Sequence, residues 1–256
     1  MADNSITILG SGTSTGVPQL CCDCAVCRST DPHDNRLRQS ALIRRHGKNI
    51  LIDCGPDFRQ QMLRCRCDSL DALLLTHIHY DHVGGLDDLR PYARQPLPIY
   101  ARADVLDSLR RHQLRYCFGD NRYPGAPQFE FREVDDNTPF DCCDLRVTPV
   151  PILHNVPILG YRFDNSFAYI SDCKTIDDKQ IALLHAIPLL IINALRVKPH
   201  PTHLALNETL DIISRIKPGR AVLIHMSHEI GLHADVQAQL PHNVTLAYDG
   251  LTIPLP

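Results

Sequence analysis

Two mixed β-sheets packed face to face, with helices on their outer surfaces, are the architecture this sequence predicts, and three observations carry it. Short β-rich runs outnumber those a doubly wound sheet needs, helical periodicity occurs in both halves, and no repeat, Ser/Gly linker or low-complexity tract divides the chain. The expected organisation is one α/β (α+β) domain over residues 1–256, with a small cysteine loop at about 21–28. With 256 residues, 44% of them apolar and 21% charged, the chain is long enough to bury a core without disulfides and too apolar to be disordered.

Taken in order, Ser5 to Leu9, Ala41 to Arg44, Asn49 to Asp53 and Ala72 to Thr76 read as strands, and His46-Gly47-Lys48 as a turn between the second and third. This first third reads as a meander. Helical spacing of apolar residues follows over Pro56 to Arg64, Leu86 to Ala93 and Asp104 to Gln113, each after a Pro, Gly or acidic start signal. Tyr116 to Pro127 carries two glycines and two prolines, and reads as a surface connection rather than a lid. Strands return at Leu145 to Pro149, Val150 to Leu153, Ile158 to Phe163 and Phe167 to Ile170; Asp177 to Ala186 is helical and Leu189 to Asn193 a buried strand. Leu206 to Lys217 is helical, Ala221 to Ile224 a buried strand, and Val244 to Ala247 with Leu251 to Ile253 flank a Tyr-Asp-Gly turn.

The start Met1-Ala2-Asp3 is acidic where an export signal is basic, and the most apolar stretch, Ile181 to Leu195, is interrupted by His185, Pro188 and Asn193. A cytoplasmic location without membrane contact is therefore expected. The net charge of −3 and the lack of a basic block argue against nucleic acid as a partner. Eleven cysteines, an odd number in a reducing compartment, are to be read as thiols or metal ligands.

Thr76-His77-Ile78-His79-Tyr80-Asp81-His82 places four potential metal ligands within six residues at the end of a strand. So many donors would be costly to bury unless a cation neutralised them, and imidazole with carboxylate suits zinc, iron or manganese rather than calcium. A turn that staggers them can feed two adjacent ions. His154, Asp172 and His225 each follow a strand and join the candidates by position. Cys22, Cys24 and Cys27 offer three thiolates on one tight turn, as a structural zinc requires; from spacing, Cys21, His33 or a distant residue could supply the fourth ligand. Cys65 with Cys67, and Cys142 with Cys143, have no further ligands nearby and read as plain thiols.

His77-x-His79-x-Asp81-His82, with the later His154, Asp172 and His225, resembles the metal motif of metallo-β-lactamase-fold hydrolases. Gly10-Ser-Gly-Thr-Ser-Thr-Gly16-Val-Pro18 followed by Cys22-x-Cys24-x-x-Cys27 resembles, within that superfamily, the phosphodiesterases of carbon–phosphorus lyase operons, which open a cyclic phosphoribosyl phosphate. The resemblance implies an αββα sandwich in which His77, His79 and His154 hold one ion, Asp81, His82 and His225 a second, and Asp172 bridges them. It also selects His228 as the fourth ligand of the cysteine zinc, and makes His203 the proton donor to the leaving group, with His200 its rival in the same loop. Ala205 departs from the acidic residue expected two places after that histidine.

The implied cofactors are two catalytic divalent ions, zinc or manganese, and one structural zinc. The implied substrate is a small, cyclic or open phosphodiester attacked by a hydroxide that the two metals activate, and a homodimer is an allowed assembly. The competing readings are an oxidative enzyme like the pyrroloquinoline-quinone biosynthesis member, a transfer-RNA 3′-processing nuclease, and a zinc-stabilised binding module without catalysis. The glycine loop Gly10 to Gly16 lacks the Gly-Lys-Ser/Thr of a phosphate-binding P-loop and reads as a tight turn near the site.

Overall fold

In the computed structural model, which describes residues 4–119 and 122–255, two seven-stranded sheets stack face to face with helices outside, the layering expected from the sequence. Met1 to Asp3, and Asp120 and Asn121 within the loop Tyr116 to Pro127, lie outside the described residues, as does Pro256.

The first sheet begins with three antiparallel strands, β1 (Asn4–Gly10), β2 (Ser40–Arg45) and β3 (Lys48–Ile52). Helix α1 (Phe58–Cys65) then crosses over to β4 (Ala72–Leu74), which pairs parallel to β3, so the meander ends one strand earlier than the sequence suggests. The short helix α2 (Tyr80–Val83) leads to β5 (Leu97–Ala101), α3 (Ala103–Arg111) and β6 (Phe129–Glu133), both strands parallel additions.

The second sheet repeats this plan. An antiparallel part, β7 (Phe140–Cys142), β8 (Leu145–Leu153), β9 (Pro157–Phe163) and β10 (Phe167–Ile170), precedes a parallel one. The latter runs through α4 (Asp178–Leu184), β11 (Leu189–Asn193), α5 (Leu206–Ile216), β12 (Arg220–Ile224), α6 (His233–Gln237) and β13 (Val244–Leu246). The chain then returns to the first sheet, where β14 (Thr252–Pro254) pairs antiparallel with β1. Asp249, in the turn before it, accepts hydrogen bonds from the Ser11 and Leu37 amides at 2.8 Å each.

Period-two alternation sorts the apolar side chains of the first sheet onto its two faces. Ile43, Ile50, Ile52 and Leu74 enter the core shared with the second sheet, whereas Leu42, Leu51, Leu73 and Leu75 pack outward against Phe58 and Met62 of α1 and Leu109 of α3. In the second sheet β11 and β12 are covered on both faces, which explains their continuous apolar runs.

Two differences from the sequence reading have physical reasons. Leu86 to Ala93 forms only a 3-10 turn over Leu86–Leu89, because Pro91 has no N–H to donate to Asp87, whose carbonyl is taken by Arg90 instead. Strand β5 is hidden in the sequence by Pro98 at its interior, and β6 by its alternating charges at the sheet edge.

Candidate metal centre

Every strand-borne donor sits beyond the carboxyl end of its strand, and in the second sheet β8, β10 and β12 run the same way, which brings those ends to one edge of the sandwich. His77 and His79 follow β4, with Asp81 and His82 turned back by α2; His154 follows β8, Asp172 follows β10 and His225 follows β12. The α2 turn is held by close backbone contact. The Cys54 amide donates to the His82 carbonyl at 2.7 Å, and a Cβ on Gly55 would lie 2.1 Å from the Asp81 carbonyl oxygen, so only glycine fits there. Tyr161 on β9 reaches across from the second sheet and donates to the Leu75 carbonyl at 2.6 Å.

The donors gather in two adjoining sets, His77 with His79 and His154, and Asp81 with His82, Asp172 and His225; within each, the ligand atoms lie within 4.8 Å of one another. Asp172 stands between them. Its Oδ2 lies 3.8 Å from His77 Nε2, while its Oδ1 lies 3.4 Å from His82 Nε2 and 3.1 Å from His225 Nδ1. One oxygen thus faces each set.

Burial pushes His77 well below the usual histidine range and His225 down to about 4, so both rings are neutral with a lone pair to share. Burial opposes the ionisation of Asp172, yet the imidazoles of His225, His82 and His203 packed around it hold it well below the carboxylate range. His82 is likewise disfavoured as a cation by burial, but Asp172, Asp53 and Asp81 around it raise it well above the usual histidine range, so a metal ion would displace a proton from its Nε2. Asp81 and Asp172, with Asp53 raised by burial behind them, gather acidic groups in a buried site, and divalent cations would neutralise that charge. His82 Nε2 and His225 Nδ1 are buried and find no hydrogen-bond partner, as ligand atoms aimed at a cation would. The residues therefore fit the divalent ions that this fold implies.

Three supporting groups are not announced by the sequence. Asp53, wholly buried after β3, accepts from His82 Nδ1 at 2.7 Å, from the Thr76 amide at 2.8 Å and from the Thr76 hydroxyl at 2.9 Å, which leaves His82 Nε2 free to ligate. The Thr13 hydroxyl stands 3.0 Å from His225 Nε2 and turns Nδ1 toward the cluster, giving the glycine loop its role. The Thr202 carbonyl accepts from His154 Nδ1 at 2.6 Å. Asp53, Asp172 and His225 all hold left-handed φ angles of 58°, 52° and 57°, at a cost of about 1–3 kcal/mol each. Such strain at three strand ends was the signal that sequence alone could not reveal.

His203 stacks on His225 at 5.0 Å between ring centroids, and its Nε2 lies 3.3 Å from Asp172 Oδ2. His200 stands behind it, its Nδ1 3.3 Å from His203 Nδ1. The structure thus brings His203 to the cluster and leaves His200 one ring further out.

Cys22, Cys24, Cys27 and His228 form a separate set whose ligand atoms lie within 4.8 Å of one another, with Cys22 and Cys24 Sγ at 3.4 and 3.2 Å from His228 Nδ1. Cys21 is exposed and outside this set; the half-buried His33 is also outside it and packs against Tyr248 and His233. The Cys27 amide and then His228 lower Cys24 to about 6, whereas burial and the neighbouring sulfurs raise Cys27 to about 11. Crowded thiols cannot all ionise together without a cation between them.

Residues 48–226 match the β-lactamase superfamily domain. The chain belongs to that superfamily. A crystal structure of a diphosphatase from the PhnP family superposes with a TM-score of 0.89 at 39% identity, covering 97% of this chain and 96% of the other, which places the chain in that family. An octanoyltransferase of Porphyromonas gingivalis is 49% identical over 95% of this chain, and the chain spans 50% of that relative's length. The coenzyme PQQ synthesis protein B of Cupriavidus necator is 26% identical over 98% of this chain and 99% of its own. No helix among the described residues is long and apolar enough to cross a membrane.

Proposed function

We propose that the chain is a phosphodiesterase, hydrolysing a small open or cyclic phosphodiester at a pair of divalent ions. The observation that carries this reading is Asp172, whose two carboxylate oxygens address two separate donor sets. His77, His79 and His154 would hold one ion and Asp81, His82 and His225 the other. Such ions, when bound, supply a nucleophile at neutral pH by lowering the pKa of water from 15.7 to about 7, and neutralise charge on the phosphoryl oxygens. Cys22, Cys24, Cys27 and His228 would hold a structural zinc, which belongs to the scaffold.

The residues of the chain supply the remaining chemistry. His203 Nε2 gives its proton to the departing alkoxide oxygen as the P–O bond breaks, so that the bonding pair leaves on a neutral alcohol. Asp172 holds the two donor sets in register, and Asp53 and Thr13 fix the rings of His82 and His225. Zinc and manganese both suit the mixed imidazole and carboxylate set.

A second reading, a P–O–P anhydride as the scissile group, is favoured by the 39% identical diphosphatase. The test measures metal content by elemental analysis alongside turnover of bis(p-nitrophenyl) phosphate, an alkyl phosphodiester and a nucleoside diphosphate ester. Three ions per chain and turnover that Asp172→Ala abolishes, with one ion retained at the cysteines, are expected. Stable, active protein with fewer than two ions per chain refutes the paired-metal reading. An octanoyl thioester assayed in parallel tests whether the transfer named for the Porphyromonas relative extends to this half of it.

A further inference from the structure

The strap that follows β12 carries three duties in five residues. His225 faces the donor cluster, His228 faces the cysteines, and Glu229 meets the loop from Arg196 to His203, its carbonyl accepting from the Val197 amide at 3.5 Å. The base of that loop is closed by its own backbone: the Leu195 amide donates to the Leu204 carbonyl at 3.0 Å and the Leu206 amide to the Arg196 carbonyl at 2.8 Å. Its outer part, Lys198-Pro-His-Pro, has two residues without an N–H and cannot build a ladder of its own.

The Arg196 guanidinium takes over that task. Its Nε donates to the Lys198 carbonyl at 3.1 Å and its Nη2 to the Pro199 carbonyl at 2.9 Å. Its Nη1 donates to Glu229 Oε2 at 2.7 Å, on the strap, one residue beyond His228. A lone surface ion pair holds little. Here one rigid fork spans three acceptors on two segments, a geometry that an ammonium cannot reproduce.

We propose that Arg196 and Glu229 form a clasp that hangs the loop on the strap and thereby positions His203 over the metal pair. The clasp acts through the loop, touching neither metal nor substrate, so both are positioning residues. What depends on it is the placement of the His203 ring against Asp172, where a displacement of about 1 Å can cost on the order of 100-fold in rate. This inference rests on the reading of His203 as proton donor, and the experiment separates the two.

Glu229→Ala and Arg196→Lys are compared with the parent at saturating metal, which keeps the His154 site filled. The expected result is amide hydrogen exchange over residues 197–203 faster by about 10-fold or more, with the global thermal midpoint little changed. The turnover ratio of an alkyl phosphodiester to a p-nitrophenyl ester should fall by about 10-fold, because only the poor leaving group needs the proton. Unchanged exchange over 197–203, or an unchanged ratio while His203→Ala does lower it, overturns the clasp. If His203→Ala itself leaves the ratio unchanged, the donor reading fails, and the exchange rates alone then decide whether the clasp holds the loop.

Discussion

Replacing Asp53 by asparagine changes one atom in the support of His82 and reverses a hydrogen bond. As a carboxylate, Asp53 accepts from His82 Nδ1 at 2.7 Å while its remaining lone pairs take the Thr76 amide and hydroxyl. Asparagine keeps one acceptor for Thr76 and presents an NH₂ group to His82, donor against donor. The ring relieves the clash by moving its proton to Nε2, the nitrogen that faces Asp81 and Asp172. That nitrogen then has no lone pair for a cation. Loss of such an outer partner typically costs about 10- to 100-fold in metal affinity, or about 1.4–2.7 kcal/mol. At a fixed excess of zinc or manganese, the metal-induced stabilisation should shrink by that same amount. Competition with a chromogenic chelator, read against thermal melts with and without metal, measures both quantities on one sample. Equal affinity within about two-fold, in a protein that melts cooperatively, would refute the argument that Asp53 sets the His82 tautomer.

Other outcomes follow from the same geometry. Cys24→Ser should remove one zinc per chain and lower the thermal midpoint before it touches turnover, because a closed thiolate site contributes to folding; unchanged zinc and midpoint would sink the structural role. His203→Ala should cost about 10²- to 10⁴-fold with an alkyl phosphodiester and far less with a p-nitrophenyl ester, with His200→Ala nearly silent in both. Equal losses would assign His203 to substrate binding instead. Zinc affinity at the cysteines should weaken as pH falls from 8 to 6, since Cys27, raised to about 11 by burial, still carries a proton that zinc must displace. Calorimetry in two buffers of different ionisation enthalpy counts that proton, and a count of zero contradicts it.

The sandwich was legible because its strands are short β-rich runs, buried on both faces in β1 to β3 and unbroken in their apolar residues in β11 and β12. Strand β5 escaped because Pro98 argues against a ladder, and what overrides it is pairing on both sides by β4 and β6. The ligand candidates were legible where chemistry is dense, from His77 to His82. They were legible by position where a donor follows a strand, as with His154, Asp172 and His225. Asp53 and Thr13 were not, since a lone acid or hydroxyl after a strand reads as an ordinary turn former until the partner ring is known. Ala205, which departs from the expected acid, is buried at the start of α5, where its amide donates to Glu208.

The return of the chain to its first sheet has a consequence for biosynthesis. Ser5 to Thr7 on β1 pair with Thr252 to Pro254, and Asp249 gathers the amides of Ser11 and Leu37. Until Thr252 to Pro254 have paired, β1 is a bare sheet edge, and without Asp249 the Ser11 amide lacks its carboxylate partner. Thr13, two residues beyond Ser11, steadies His225, and its amide donates to the Met226 carbonyl at 3.1 Å. Pairings so remote in sequence are slow to form, and an exposed strand edge invites association with other chains in the meantime. A copy in which β14 has yet to pair therefore leaves β1 open to that association.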